Sequence, residues 1–594
     1  MNRLILLRNP EDYRLISKED RKDALILPLS PETEEWVTEK NLSHFTLSSL
    51  IPGRNWEKWQ WRIHEEIEDG LKKTKNFPLK VQHFRMVKAC QAFRQSYELA
   101  KLIIQSKDFN KCIAVTGPPE PVWESSLRDK ARDNQLEWTI MSVLKDHGVS
   151  IHHILPEKHE KPWMEQGFFK RFLDEFRPLR WPALLIGLFS MIVDHLSASL
   201  FRKSRNFDVM LVSGVEMSTA EKESRMIRRD KPVKVLVSSI GQEGDRILPK
   251  TKLLIRHIAL LRLLYGKTRK QNREKLIRQI SHAITDIVGT ETAESNPEWL
   301  QLQSEDVADY HMFLHKTFIQ PFLSWLSHVK LERVFFTSPF NPVNRWIALE
   351  AGDMGVRTIC LPHGGWYRKA YLGTYGIFDE LGVWGEYMKN ELMKTGFDGN
   401  IFIQTREIID QGSESVPEQM EENDFPRLLL ISSLLQIIKP TSIISITNFR
   451  RAVNIMVEAA KRLDAGLYVK CHPRYDNYSY YSMLENQDKL KALSLNASLD
   501  DALRNCDVVL TFTNFTTALV RAMELNVPVI LVDTSGYEEL LSDVTPSEYA
   551  YLVKNADELE KVVKSIIEAK NGEFTNRIIR KQKNFLEFYN SRKQ

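Results

Sequence analysis

Lys470, His472 and Arg474 stand at alternate positions where the apolar run Leu467-Tyr-Val gives way to Pro473. Alternation along an extended chain puts these side chains on one side, at the carboxyl end of a strand. Three nitrogen-bearing groups so placed suit a diphosphate or phosphodiester; the plainer reading is a solvated strand end with a structural histidine. A second pattern lies nearby. The apolar run from Asp507 ends at Phe512 and is followed by Thr513, Asn514, Thr516 and Thr517, then by a helical pattern. A helix start offers unpaired backbone N–H groups and the positive end of the helix dipole, and small hydroxyls add donors. The same residue types also make an ordinary N-cap. Together the two patterns predict an anion site near the C-terminus.

Other candidates lie earlier in the chain. Cys360-Leu-Pro-His-Gly-Gly365 follows an apolar run. Its glycines allow close backbone approach, and His363 can exchange a proton near neutral pH. Glu386, in Val383-Trp-Gly-Glu-Tyr387, opens a helix, where a carboxylate is favoured whether or not it meets a substrate. Glu120 and Glu216 follow strand-like runs and are candidate general bases. Glu68-Asp69-Gly70 is a further acidic triplet, in a Glu-rich helical context that reads as a solvated face. No Walker loop, GxGxxG, HExxH or GxSxG pattern occurs, and no DxD-type carboxylate pair demands a metal.

Parallel strands followed by helices would position such residues. Lys111 to Leu155 reads as strand, helix and strand, with the helix stopping at Gly148; Arg333 to Leu361 repeats the pattern. Strands are predicted at Arg3–Leu7, Asp23–Leu29, Phe207–Ser213, Val233–Ser239, Leu381–Trp384 and Ile401–Gln404, with a long helix over Gln82–Gln105. After a polar, acidic stretch the alternation resumes, with strands at Arg427–Ser432, Gly466–Lys470, Asp507–Phe512, Pro528–Val532 and Tyr551–Val553. The expected fold class is α/β, with two lobes and extra N-terminal helical elements. Residues 1–408 are expected to form the first, acceptor-side lobe, with helical insertions near 160–205 and 251–330. Residues 409–424 are read as a linker and 425–594 as the nucleotide-donor lobe. A cleft between the lobes, beyond the carboxyl ends of the strands, is the expected ligand position.

Composition narrows the function classes. The 594 residues carry 82 basic and 78 acidic side chains, for a net charge of +4, which argues against a general nucleic-acid binder. Five scattered cysteines without CxxC spacing argue against zinc and fit a reducing compartment. Trp181 to Val193 is apolar between basic flanks. It reads as a buried helix, with a membrane-interface position as the alternative, and it is too short to span a bilayer.

LPHGG with LGVWGEYMKNELMKTG resembles the QHG…WGE…G pattern of bacterial surface-polysaccharide transferases. KCHPR with CDVVLTFTNFTTALVRAMELNVPVILVD resembles the HP and S/T motifs of their C-terminal lobes. The resemblance covers about residues 333–553 and extends to capsule Kdo-transferases, bacterial sialyl- and polysialyltransferases, and CDP-glycerol glycerophosphotransferases. It implies a GT-B fold, two Rossmann-like lobes facing a cleft. It implies that His472 contacts the donor phosphate and that Thr516 and Thr517 hold the same group. Here Thr or Asn replaces the usual Ser, and PHG replaces QHG. Only Glu68-Asp69-Gly70 formally matches the acidic motif that carries the base in sialyltransferases. The implied activity is metal-independent glycosyl transfer without a cofactor, from a CMP- or CDP-linked donor to a glycan or lipid-linked acceptor. Capsule or lipopolysaccharide synthesis in the bacterial cytoplasm, with peripheral contact at the inner face of the membrane, is the matching setting. The alternatives are a UDP-N-acetylglucosamine 2-epimerase-like isomerase and a non-catalytic nucleotide-sugar-binding scaffold.

Overall fold

The computed structural model describes residues 2–51, 56–117, 134–156, 209–213, 235–239, 270–315, 319, 331–336, 342–361, 375–383, 385–394, 397, 399–403, 426–432, 445–471, 478–487, 490–494, 497–512, 516–534, 548–568 and 572–590. The linker expected at 409–424 and the apolar segment Trp181–Val193 lie outside them. Among the described residues no helix is long and apolar enough to cross a membrane.

Three parallel sheets organise the described residues. The first contains β1 (Arg3–Leu7), β2 (Ala24–Pro28), β3 (Lys111–Val115) and β4 (Ser150–Ile154), in the order β2-β1-β3-β4. The second contains β5 (Val209–Ser213), β6 (Val235–Ser239), β7 (Arg333–Phe336), β8 (Arg357–Cys360), β9 (Glu380–Val383) and β10 (Asn400–Ile403), in the order β10-β9-β8-β7-β5-β6. The third contains β11 (Arg427–Ile431), β12 (Gly466–Lys470), β13 (Lys491–Ala492), β14 (Val508–Thr511), β15 (Val529–Val532) and β16 (Tyr551–Val553), in the order β13-β12-β11-β14-β15-β16. The α/β class and the two Rossmann-like lobes expected from the sequence are present in the second and third sheets. The surplus at the N-terminus is more than helical: residues 1–408 hold two separate sheets, and β1–β4 belong to an N-terminal unit of their own.

The third sheet is doubly wound. Leu428 and Leu430 face one way and pack with Phe449, Val453 and Met456 of helix Ile446–Arg462 and with Leu559 and Val563 of helix Ala556–Glu568. Leu429 and Ile431 share the opposite core with Leu503 of helix Leu499–Asn505 and with Leu519, Val520 and Met523 of helix Thr517–Glu524. A strand buried on both faces reads as a continuous apolar run, and Arg-Leu-Leu-Leu-Ile is one. Strand starts are set by local turns. Asp464 and Asn526 adopt left-handed backbone after the helices that precede β12 and β15, and Gly148 does the same before β4.

The N-terminal unit is built with residues from far along the chain. Helices Trp56–Lys73 and His83–Ser106 share a core with Ile277, Ile280 and Ile284 of helix Lys270–Val288 and with Trp299 and Val307 of helix Pro297–Leu314. The unit also reaches the other two. Arg345, in helix Pro342–Asp353 on the second sheet, donates to the Lys80 carbonyl at 3.0 Å. Trp61 packs against the third sheet's core, and Ile446 packs against the N-terminal one. Helix Glu573–Asn590 closes the chain. It lies on helix Glu386–Lys394 beside the second sheet and on helix Thr517–Glu524 beside the third.

Candidate functional site at the carboxyl edge of the third sheet

In the third sheet the winding reverses between β11 and β14, which are hydrogen-bonded neighbours. In open parallel sheets that reversal opens a crevice beyond the carboxyl ends of the strands. Ser432, Lys470 and Thr511 mark this edge. Ile431 lies opposite Lys470 in the β11–β12 register, and the Ser432 amide donates to the Lys470 carbonyl at 3.2 Å. Tyr481 Oη donates to Ser432 Oγ at 3.0 Å.

Lys470 is buried, 8% exposed, and its Nζ donates to the Cys471 carbonyl at 3.1 Å. A lysine costs free energy to bury as a cation unless a counter-charge or acceptors meet it, and the Cys471 carbonyl is one such acceptor. Thr516 caps helix Thr517–Glu524: its Oγ1 accepts from the Leu519 amide at 3.4 Å. The N-cap reading of this threonine is therefore realised. A hydroxyl that accepts in this way still has its own proton to donate to an anion at the helix start. Thr517 is the first helical residue.

A second helix starts at this edge, Ile446–Arg462, capped by Ser445 Oγ accepting from the Asn448 amide at 3.1 Å. Its first turn already has an anion. Thr447 Oγ1 donates to Glu34 Oε2 at 3.3 Å, and Arg450 NH1 donates to Glu34 Oε1 at 2.9 Å. Of the two helix starts, this one is occupied by a carboxylate from the N-terminal unit, and helix Thr517–Glu524 is the better place for a phosphate.

The remaining candidates divide between two sheets. Glu216 follows β5, His363 follows β8 and Glu386 follows β9, so all three succeed carboxyl ends of the second sheet. Glu386 is buried in the first turn of helix Glu386–Lys394, 3.8 Å from Lys389 Nζ. Glu120 follows β3, a strand of the N-terminal sheet, and so issues from a different sheet than Glu216. His363, Glu216, Glu120, His472, Arg474, Thr513 and Asn514 themselves lie outside the described residues. Among the site candidates, Lys470, Thr516, Thr517 and Glu386 lie within them.

Glu68 is not on a solvated face. It is 2% exposed, and both its oxygens lie 3.0 Å from Nε2 of the buried His83. Burial works against its charge, but the bonds from His83 outweigh that and hold the carboxyl below its ordinary range. Asp69 alone fits the surface reading: its carboxylate is 64% exposed, 3.7 Å from Lys72. Gly70 is explained by packing, since a Cβ there would meet Ile287 Cγ2 at 3.3 Å. The triplet sits inside a helix and serves a helix–helix junction. Sequence reasoning also missed Arg450, Glu34 and Glu35. No local pattern joins residues more than 400 positions apart; the one available signal was an arginine beside the apolar face of helix Ile446–Arg462.

No protein-family model matches the chain, and no curated protein sequence does. Among solved structures, it is similar to the UDP-GlcNAc 2-epimerase from Methanocaldococcus jannaschii, at 17% identity over 63% of this chain and 98% of that one, with a TM-score of 0.34. It is similar to the lipopolysaccharide outer core galactosyltransferase WaaB at 11% identity, over 64% and 96% of the two chains, with a TM-score of 0.34. It is similar to Acinetobacter baumannii MurG at 8% identity, over 64% and 95%, with a TM-score of 0.31. At this level of similarity none of them assigns an activity to the chain.

Proposed function

We propose that the chain transfers a sugar from a nucleotide-activated donor, a cytidine nucleotide by preference, to a surface-polysaccharide or lipid-linked acceptor. The observation that carries this reading is the buried Lys470 at the carboxyl end of β12, at the same edge as the Thr516-capped helix start. In the proposed reaction the sugar–phosphate bond breaks and negative charge grows on the departing nucleotide. Lys470, with His472 and Arg474 following it in sequence, offsets that charge, and the helix start supplies N–H donors without reorganisation. This division of labour does not call on a metal ion. His363 or Glu216, succeeding strands of the second sheet, takes the proton of the attacking hydroxyl.

The test is a thermal-shift and titration series with CMP, CDP, UDP and GDP. The expected result is the largest stabilisation from a cytidine nucleotide, and at least tenfold weaker binding, about 1.4 kcal/mol, in Lys470→Met and in His472→Ala. Failure of all four nucleotides to shift the wild-type transition would overturn the reading. Turnover of UDP-N-acetylglucosamine with no acceptor present would favour the isomerase instead.

A further inference from the structure

The opening turn of helix Ile446–Arg462 is held by the N-terminal unit as well as by its own sheet. Ile446 packs into the N-terminal core. Thr447 Oγ1 receives the Ser48 hydroxyl at 3.2 Å and gives its own proton to Glu34 at 3.3 Å. Arg450 is clasped by two carboxylates: NH1 meets Glu34 at 2.9 Å and Nε meets Glu35 at 2.8 Å. All three charged side chains are buried, with exposures of 11, 3 and 9%. Glu34 and Glu35 lie in helix Pro31–Glu39, whose start is fixed in turn. Ser30 Oγ caps it through the Thr33 amide at 3.2 Å and donates to the Arg8 carbonyl at 2.6 Å, at the end of β1.

The other side of the same turn meets the carboxyl edge of the third sheet. The Asn448 carbonyl accepts from Thr534 Oγ1 at 3.0 Å, two residues beyond β15. Ser445, the cap, is reached from Ser432 at the end of β11 by the connection that leaves the switch point. One helical turn thus carries the N-terminal unit on one flank and the crevice edge on the other. Removing one partner from a buried ion pair leaves an uncompensated charge, so loosening the clasp without fully separating it is disfavoured.

We propose that the Glu34–Arg450–Glu35 clasp couples docking of the N-terminal unit to nucleotide binding at the third sheet. Arg450 is a positioning residue in this scheme: it does not touch the nucleotide, and it sets the place of the turn that borders it. Linkage then requires reciprocity. A nucleotide in the crevice tightens docking of the N-terminal unit by the same factor by which docking tightens the nucleotide. The proposal rests on the third sheet's edge being the nucleotide site.

The experiment uses the full-length protein and CDP as the probe. Hydrogen exchange of helix Pro31–Glu39 and of residues 43–50 is followed with and without CDP, and the CDP dissociation constant is measured for wild type and Arg450→Met. Because Arg450→Met strands two buried carboxylates, a neutral triple variant, Glu34→Gln/Glu35→Gln/Arg450→Met, is measured beside it. The expected result is slower exchange of these N-terminal segments when CDP binds the wild type. Both variants should show at least tenfold weaker CDP binding and little response of exchange to CDP. CDP binding of equal strength in wild type and variants, with exchange in the N-terminal unit indifferent to CDP, overturns the coupling and leaves the nucleotide site standing. Absence of binding of CDP, and of CMP, UDP and GDP, to the wild type overturns both.

Discussion

At the scale of single residues, His311 illustrates how burial decides chemistry. Its ring stacks on Trp346, with centroids 4.1 Å apart and planes 11° from parallel, and meets the edge of Phe77 at 6.0 Å. Its Nδ1 is buried without a hydrogen-bond partner among the described residues. Burial, with a smaller contribution from His315, lowers its pKa from 6.5 to about 4. The unfolded chain therefore takes up this proton first. The stability associated with neutral His311 is complete above about pH 6.5 and drains away as pH falls toward 4. His311→Phe keeps the stack and removes the unpaired nitrogen. It should raise stability by about 1 kcal/mol at neutral pH and flatten the fall of Tm between pH 7 and pH 4.5, read by scanning fluorimetry. A steeper fall in the variant would contradict this. Lys470 and Thr516 were legible in the sequence because each is announced locally, by an apolar run that stops at a polar cluster. Arg450 was not, because its partners are set by tertiary packing.

At the scale of elements, caps and seams do the specifying. Thr516 closes helix Thr517–Glu524, and the same hydroxyl is the one proposed to meet the donor phosphate. Thr516→Ala should cost about 1 kcal/mol of stability from the lost cap and also weaken nucleotide binding, whereas Thr516→Ser should keep both. Paired denaturation and titration measurements separate the two effects. Loss of stability with unchanged affinity would reduce Thr516 to a cap. Helices Trp56–Lys73 and His83–Ser106 show a different device, a polar seam. Gln60 Oε1 receives Gln91 Nε2 at 3.1 Å and also Gln95; His64 Nδ1 lies 3.0 Å from Gln91 Oε1; Glu68 meets His83. Successive pairs favour the antiparallel register, since a one-turn slip would carry the buried Glu68 away from His83. The sequence predicted the second of these helices, over Gln82–Gln105, within a residue at each end of His83–Ser106. It read the first only as a Glu-rich helical context around Glu68, without bounds, although Trp56, Trp59, Ile63, Ile67 and Leu71 stand at helical spacing and are buried.

At the scale of the whole molecule, strands were far easier to foresee than their partners. Gly466–Lys470 and Tyr551–Val553 are observed as predicted, and the two-residue β13 alone among the described strands has no counterpart in the sequence reading. Yet nothing in the patterning of β1 to β4 distinguishes them from β5 to β10, and the division into two sheets is a matter of non-local pairing. The same non-locality gives the last helix its importance. Phe585 shares a core with residues of the second and third sheets and packs against Tyr549 at 5.5 Å, and Ile578 is buried on the third sheet's other face. Removing residues 573–594 uncovers both faces, at about 1.5–3 kcal/mol for each large side chain. The truncated protein should lose its cooperative thermal transition and most of its soluble yield; an unchanged Tm would show that this helix only decorates the surface. The Glu35–Arg450 bond, spanning 415 positions, has a further consequence during synthesis. A ribosome adding about 5–20 residues per second needs roughly 20–80 s to move from one partner to the other. Throughout that interval the nascent N-terminal unit carries two acidic side chains and an apolar face whose partners are not yet made.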